Sequence, residues 1–253
     1  MTNQDARFLS RPPLQFYRTA GYPCSYLDER RACSLVAAPP YLIDGTVYSR
    51  LVRDGFRRSG LLTYRPDCEQ CRACIPVRLP VAHFAPSRNQ RRCEEKHHRL
   101  KVRELPLIFE EAHYALYERY QKQRHPGGGM DSSDPGQYTD FLLQSNVDTR
   151  LIEFSDPEDG SLRMVCIIDV LEDGLSSVYT FYDPDVAGAS FGKYGILWQL
   201  SQCIANKLPY LYLGYWIRDS RKMAYKGEYR PIEGLIGGAW RTFDPQEDDF
   251  QNR

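Results

Sequence analysis

The segment RLIEFSDPEDGSLRMVCIIDVLEDGLSSVYTFY, residues 150–182, decides the fold. It reads as three strands. Arg150 to Phe154 is the first, and Asp156-Pro157-Glu158-Asp159-Gly160 turns the chain. Leu162 to Leu171 is the second. Glu172-Asp173-Gly174 leads into the third, Leu175 to Tyr182. β-Branched and aromatic residues favour strands, and the turns are too short for a crossover, so the three are antiparallel. On the C-terminal side, Gly192 to Asn206 reads as a helix with Ile196, Leu197, Leu200, Cys203 and Ile204 on one side. Lys207-Leu208-Pro209 ends it, and Tyr210 to Ile217 is a further strand. On the N-terminal side, Phe109, Ala112, Leu116 and Tyr120 keep a helical period over Phe109 to Arg124. His125-Pro126-Gly127-Gly128-Gly129 stops that helix and leaves a flexible loop. Ser133 or Asp134 caps a second helix, Pro135 to Gln144. The order helix, helix, three antiparallel strands, helix, strand is that of GNAT-type acyltransferase folds. By fold analogy alone, this order favours acyl transfer.

Upstream the pattern differs. Residues 1–20 read as an extended lead-in, with Pro12-Pro13 blocking a helix. Arg31 to Val36 alternates as a strand, and Tyr41 to Asp54 as a short helix with Leu42, Val47 and Leu51 inward. Gly55-Phe56-Arg57-Arg58-Ser59-Gly60 reads as a turn. Leu61 to Arg65 and Ile75 to Leu79 are strands joined by a cysteine loop. Ser87 caps a basic helix to Leu100. The expected fold class is α+β, an antiparallel-rich mixed sheet with flanking helices in the GNAT manner. A smaller Cys/Arg-rich N-terminal domain precedes it. The expected divisions are residues 1–103, 104–243 and an acidic tail, 244–253, read as disordered.

Hydrophobic residues make up 42% of the 253, ordinary for a folded soluble chain. No apolar run approaches the ~20 residues of a membrane span, and the polar N-terminus lacks a signal-peptide core. A cytoplasmic protein without membrane partners is expected. Its eight cysteines are then reduced thiols, metal ligands or buried side chains rather than a disulfide framework. The net charge of zero hides an asymmetry. Residues 50–103 carry 14 Lys+Arg against 5 Asp+Glu, while residues 104–253 carry 14 against 24. A basic block of this density binds phosphates, or else neutralises the acidic half across an internal interface.

Within that block, residues 55–78 join five arginines, three cysteines at spacing three, and helix-breaking glycines and prolines. GFRRSG (55–60), YRPDCEQCRACIPVR (64–78), YTFYDP (179–184) and LGYWIRDSRKMAYK (213–226) together resemble the arginyl-tRNA–protein transferase family. The resemblance is greatest to its bacterial, leucine-transferring branch, and it runs from about Tyr22 to about Trp240. It implies transfer of an amino acid from aminoacyl-tRNA, leucyl-tRNA in that branch, to the α-amine of proteins beginning with Asp or Glu. Such transfer marks them for degradation in the N-degron pathway. The arginyl branch shares the motifs, so arginine transfer by the same mechanism is the alternative donor.

The residues fit this chemistry as follows. An aminoacyl ester is already activated, and an α-amine of pKa ~7.7–8.0 is partly neutral at pH 7, so holding the two together supplies most of the rate and no cofactor is required. Asp183, beside Tyr182 at the end of a strand, is the candidate proton acceptor; the other reading of Asp183-Pro184 is a turn-forming pair. Arg57, Arg58, Arg65 and Arg78 are candidates for the acceptor's carboxylate, since guanidinium pairs with it at two points. Some of them are expected on tRNA phosphates instead.

For the donor, Ala189-Ser190-Phe191-Gly192-Lys193-Tyr194-Gly195 offers free backbone N–H groups at a helix start. It lacks the leading Arg or Gln of an acyl-CoA loop, and helix–sheet packing is the other reading of its glycines. Single-stranded tRNA ends are held by cations and stacking aromatics. Ser190, Gly192, Lys193, Tyr194, Tyr215, Trp216, Lys222, Tyr225 and Lys226 are the donor-binding candidates. Tyr179, Phe181 and Tyr212 belong to the same aromatic group, of which strand alternation buries about half.

Cys68, Cys71 and Cys74, with Cys24 as a fourth, have ligand spacing for a zinc ion or an iron–sulfur cluster. Reduced structural thiols and a nucleophilic thiol are the alternatives. Two other functions stay open at this point. A metal-containing RNA-binding module without catalysis accounts for the basic block and the cysteines but leaves the second half unexplained. A CoA-dependent N-acyltransferase requires acyl-CoA binding, which the 189–195 loop disfavours.

Overall fold

The computed structural model describes residues 13–124 and 134–248. The chain opens with strand β1 (Gln15–Arg18), the small hairpin β2 (Tyr22–Pro23) and β3 (Arg31–Ala32), and β4 (Ser34–Ala38). Helix α1 (Gly45–Arg53) follows, its N-terminus capped by the Asp44 carboxylate accepting from Val47 N at 3.0 Å. The GFRRSG motif is not a simple turn. It contains strand β5 (Arg57–Ser59), antiparallel to β6 (Leu62–Pro66). Gly60, at φ +57°, supplies the reversal between them. A Cβ there would meet Asp140 O at 2.0 Å, so only glycine allows this backbone approach. β1, β4, β6 and β5 form a four-stranded antiparallel sheet in that order.

After the cysteine loop, β7 (Ile75–Pro80) leaves this unit and enters the main sheet. α2 (Arg88–His97) carries the expected Ser87 cap as a full capping box with Gln90. β8 (Lys101–Leu105), too polar to be read as a strand from its pattern, spans the 103/104 division expected from composition. α3 (Glu111–Arg124) and α4 (Pro135–Tyr138, continued as a π-turn over Thr139–Leu143) precede β9 (Thr149–Ser155), β10 (Leu162–Leu171) and β11 (Gly174–Tyr182). α5 (Phe191–Ala205), β12 (Tyr210–Trp216), β13 (Glu233–Ile236) and β14 (Ala239–Thr242) complete the order. Of the expected acidic tail, residues 244–248 are folded back: Arg230 pairs with Asp244 at 2.9 Å, and Asp244 N–H donates to Asp248. Residues 249–253 lie outside the described residues.

The eight-stranded sheet runs β14-β13-β7-β12-β11-β10-β9-β8 and is antiparallel throughout except for β11 and β12. The fold is therefore mixed α/β around a large, mostly antiparallel sheet with an N-terminal unit attached. β10 reads as a continuous apolar run because both of its faces are covered. Met164, Cys166 and Ile168 pack under α5 with Leu197 and Leu200. Val165 and Ile167 pack under α3 with Leu116 and Tyr117. A third core joins Tyr48, Leu51 and Phe56 of the N-terminal unit to Leu171 and Tyr212 of the main sheet.

One polar cluster fastens α3. Glu153 of β9 accepts from Arg103 at 2.6 Å and bonds buried His113 at 2.8 Å. Burial pushes the Glu153 carboxyl up, but the hydrogen bonds from His113 and Arg103 outweigh it and hold it below its ordinary value. A carboxylate held low stabilises the fold above its unfolded pKa, and that contribution disappears as pH falls through the folded value. Glu153→Gln is expected to lower the melting temperature at neutral pH and to leave little difference from the parent in the acid range. Melting curves from pH 3 to 7 would show it. A gap of equal size at every pH would assign the effect to packing instead.

Candidate active site

β11 and β12 pair only over Gly174–Ser176 with Tyr210–Tyr212. Beyond that point the two parallel strands part. A bulge between Ile167 and Ile168 on the β10–β11 ladder and another between Tyr212 and Gly214 on the β12–β7 ladder accompany the separation. Arg57 reaches from β5 into the opening. Its Nη2 donates to Val178 O of β11 at 3.2 Å, a carbonyl that β12 has left unpaired. Across the gap stands Gly214 at φ +73°, where a Cβ would lie 2.9 Å from Arg57 Nη1. The glycine of LGYW thus allows both the left-handed backbone and the guanidinium beside it.

The surroundings of Arg57 are phenolic. The guanidinium lies 5.6 Å from the centre of the Tyr215 ring, and Tyr26, Tyr48 and Tyr64 are its other charge neighbours. Its Nε is buried without a hydrogen-bond partner, and among the described residues no ion pair engages it. Arg57 is half-buried with one nitrogen unpartnered, and a carboxylate or phosphate entering the opening would supply the missing partner. Gly214→Ala should strain the backbone by about 1–3 kcal/mol and push the Arg57 head aside. The variant is expected to stay folded with a several-degree drop in melting temperature and a drop in turnover beyond what stability explains. Turnover equal to the parent at a temperature where both are folded would show that the position of Arg57 is unimportant.

Lys226 borders the same opening from the turn after β12. Its side chain is buried, and Nζ donates to Tyr215 O at 2.6 Å. Burial, with Arg57 nearby, holds its ammonium well below the ordinary lysine value. Tyr225 beside it is 43% exposed. Tyr182, at the end of β11, stands edge-on to Tyr120 at 4.8 Å.

The other expected site residues fall into several groups. Arg58 points to the opposite face of β5 and makes a buried two-point pair with Asp169, Nε at 2.8 Å and Nη2 at 2.7 Å. Arg78 pairs with Glu233 at 2.7 Å and lies 3.5 Å and 4.4 Å from the ring centres of Tyr210 and Trp240. Arg65 donates to Asp54 O at 3.0 Å and lies over Phe56. Arg57 and Arg58 both line the opening, but the Arg58 guanidinium is committed to Asp169, whereas Arg57 has no carboxylate partner among the described residues. Asp183 has both oxygens engaged: Oδ2 accepts from Arg163 at 3.2 Å and Oδ1 from Asp185 N at 3.1 Å. These are the bonds of a turn.

Among the donor candidates, Tyr194 and Trp216 are core residues, Tyr194 against His97 and Phe154, and Trp216 against Phe243. Gly192 and Gly195 let α5 approach the sheet, since added Cβ atoms would meet Tyr182 Cε1 and Cys166 Sγ at 3.2 Å. Ser190 caps α5 in a left-handed conformation, φ +56°, with no side-chain cap. Lys193 pairs with Glu228 at 3.3 Å, and Lys222 is exposed. Tyr26, Tyr64 and Tyr120 were not expected at the site. The signal for its geometry was the glycine inside the β12 run.

A second cleft of about 110 Å³ adjoins the opening, with Tyr215 in both walls. It is lined by Cys24, Cys68, Cys71 and Cys74, with Tyr26 and Tyr64. Among the described residues no three His, Cys, Asp or Glu side chains gather as metal ligands. Burial, with Cys24, Cys71 and Cys68 close by, pushes the Cys74 thiol up to about 12, so it stays protonated at neutral pH. As placed, the four thiols share a cleft without forming a ligand set for zinc or a cluster, and no chemical step is assigned to a metal. No described helix is long and apolar enough to cross a membrane.

Comparison with known proteins agrees along the chain. Residues 22–92 match the family model "Arginine-tRNA-protein transferase, N terminus", and residues 112–236 match its "C terminus" counterpart. The chain is 60% identical over 235 residues to a protein of Nitrosospira multiformis, covering 93% of each. It is 56% identical over 233 residues to one of Polynucleobacter asymbioticus, covering 90% of this chain and 94% of that one. Over 238 residues it is 54% identical to one of Thiobacillus denitrificans, covering 93% and 98%. All three are named aspartate/glutamate leucyltransferase. Among solved structures, L-PGS from Bacillus licheniformis gives a TM-score of 0.44 at 9% identity over 58% of this chain and 47% of that one, a likeness too slight to fix a fold. With two family models in register along its length and relatives above half identity across nearly all of it, the chain belongs to the arginine-tRNA-protein transferase family.

Proposed function

We propose that the protein moves leucine from leucyl-tRNA to the N-terminal amine of proteins beginning with Asp or Glu, in the opening between β11 and β12. Arg57 carries this reading. A half-buried guanidinium among phenols, with no carboxylate partner among the described residues, suits a carboxylate that arrives with the acceptor. The acceptor's first residue enters by the cysteine-lined cleft, and its side-chain carboxylate meets Arg57. The architecture is read as GNAT-like, with the four-stranded sheet of β1, β4, β6 and β5 as an appended unit. The parting parallel strands give the activated ester a place beside the sheet. Ser190 and the free N–H groups that open α5 face the tRNA 3′ end, with Tyr182 and Tyr225 as stacking partners.

The reaction needs little from the protein beyond position. The neutral α-amine attacks the ester carbonyl, the C–N bond forms, and the bond to the ribose oxygen breaks. The nitrogen gives up one proton and the departing oxygen takes one, so no acid or base is consumed. Holding the two reactants together accounts for most of the rate. With Asp183 committed to Arg163, water or the leaving hydroxyl relays the proton.

The test mixes the protein with tRNA charged with labelled leucine, or with labelled arginine, and peptides beginning with Asp, Glu or Ala. Label from leucyl-tRNA on the Asp and Glu peptides alone is expected. Label from arginyl-tRNA only would change the donor. Equal labelling of the Ala peptide would remove Arg57 as the acceptor reader. No label at all would end the transferase reading.

A further inference from the structure

The basic residues of α2 are distributed differently from those elsewhere on the surface. Arg18, Arg53, Arg119, Arg150, Arg163 and Arg230 each pair with a carboxylate. Arg88, Arg91, Arg92, Lys96 and Arg99 are all exposed, and no salt bridge among the described residues engages any of them. Arg88, Arg92 and Lys96 follow one another at the helical spacing of four, so they share one face and span about 12 Å, with Arg99 in the turn just beyond the helix end. Aligned like charges of this kind destabilise a helix slightly unless an anion covers them.

The opposite face of α2 is bonded to the site. Gln90 donates to Glu228 O at 3.4 Å, in the turn that carries Tyr225 and Lys226. His97 bonds Ala189 O, and Cys93 contacts Ser190 O at 3.6 Å. Lys96 itself donates to Gly188 O at 3.1 Å. α2 therefore runs along the outer side of both segments that flank the donor end of the opening.

We infer that the outer face of α2 is the ridge on which the double-stranded acceptor stem of the donor tRNA lies, its single-stranded end passing over residues 188–190 into the opening. The inference rests on the proposed leucyl transfer for the identity of the RNA. The charge pattern favours RNA over an acidic protein surface because the stripe is linear and leads to the donor loop rather than to Arg57 and the cysteine cleft. Contacts to phosphates position a nucleic acid without reading its sequence, so the ridge should accept any tRNA stem.

The test is the triple variant Arg88→Gln, Arg91→Gln and Arg92→Gln, which leaves Lys96 and its bond to Gly188 in place. Binding of uncharged tRNA is measured against salt concentration, together with leucyl transfer. Each lost phosphate contact lowers the slope of log K against log salt by roughly 0.7–0.9, so the slope should fall by about 2. KM for leucyl-tRNA should rise at least tenfold, while kcat at saturating tRNA and KM for the acidic peptide stay as in the parent. A leucylated trinucleotide end, too short to reach α2, should serve parent and variant equally. An unchanged salt slope would overturn the inference. A raised KM for the peptide with unchanged tRNA binding would give the ridge to the acceptor protein and overturn it as well. If the parent transfers leucine from neither donor, the proposed function fails, and the slope still decides whether α2 holds the stem.

Discussion

Arg57→Gln is expected to leave a folded protein whose kcat/KM for peptides beginning with Asp or Glu has fallen at least ~100-fold. Removing one partner of a desolvated charge pair costs about 2–5 kcal/mol, and each 1.36 kcal/mol is tenfold in rate. The cation has no carboxylate of its own, so its loss exposes no buried countercharge. Among the described residues, its bond to the Val178 carbonyl is the one hydrogen bond the change removes. The melting temperature should therefore stay within a few degrees of the parent or rise. Arg57→Lys keeps the charge and loses the planar fork, and it should recover only part of the rate. Kinetics with Asp, Glu and Ala peptides at saturating leucyl-tRNA provide the measurement. Unchanged selectivity for acidic ends in Arg57→Gln would show that another group reads the carboxylate.

The next residue behaves in the opposite way. Arg58→Met is expected to destabilise the protein by about 3–5 kcal/mol, because it leaves Asp169, fully buried, with no cation and only the neutral hydroxyls of Thr149 and Tyr48 beside it among the described residues. For a chain of this size that is a fall of roughly 10 °C in melting temperature. The pair also joins the units, since Arg58 lies on β5 and Asp169 on β10, and the guanidinium reaches Gly60 O and Gln144 O at 3.3 and 3.4 Å. Arg58→Met with Asp169→Leu should recover much of the loss, as apolar replacements of buried pairs often do. Thermal unfolding of the single and double variants settles it. A fall below about 2 °C in Arg58→Met would mean that the two units are held by their apolar contacts alone.

These neighbours show where sequence reading stops. Their identity as arginines in a glycine-flanked motif was plain, and so was the strand and helix order from Arg150 onward. Each of β9 to β12 was readable because apolar runs ended at strong turns. What could not be read was which face of a three-residue strand each arginine would take. Reading GFRRSG as a turn hid the alternation that separates Arg57 from Arg58. β8, β13 and β14 escaped because their residues are polar or few, and pairing to neighbours, not propensity, makes them strands. The aromatic group was readable as a set but not residue by residue. Tyr194 and Trp216 fill the core, while Tyr26 and Tyr64, far upstream, surround the site through long-range packing.

β7 has a consequence for how the protein is made. Residues 75–80 lie between β12, at 210–216, and β13, at 233–236. Both flanking partners leave the ribosome long after β7 does. Until then this strand, apolar on one face and unpaired on both edges, has no native neighbour. Contacts so distant in sequence slow folding, and exposed edges invite pairing with other chains. Late synthesis thus closes the sheet around an early strand, and incomplete chains carry an open, adhesive centre. Neither a fragment ending just after β8 nor the remainder from α3 onward should fold when expressed by itself, although mixing the two should restore the sheet.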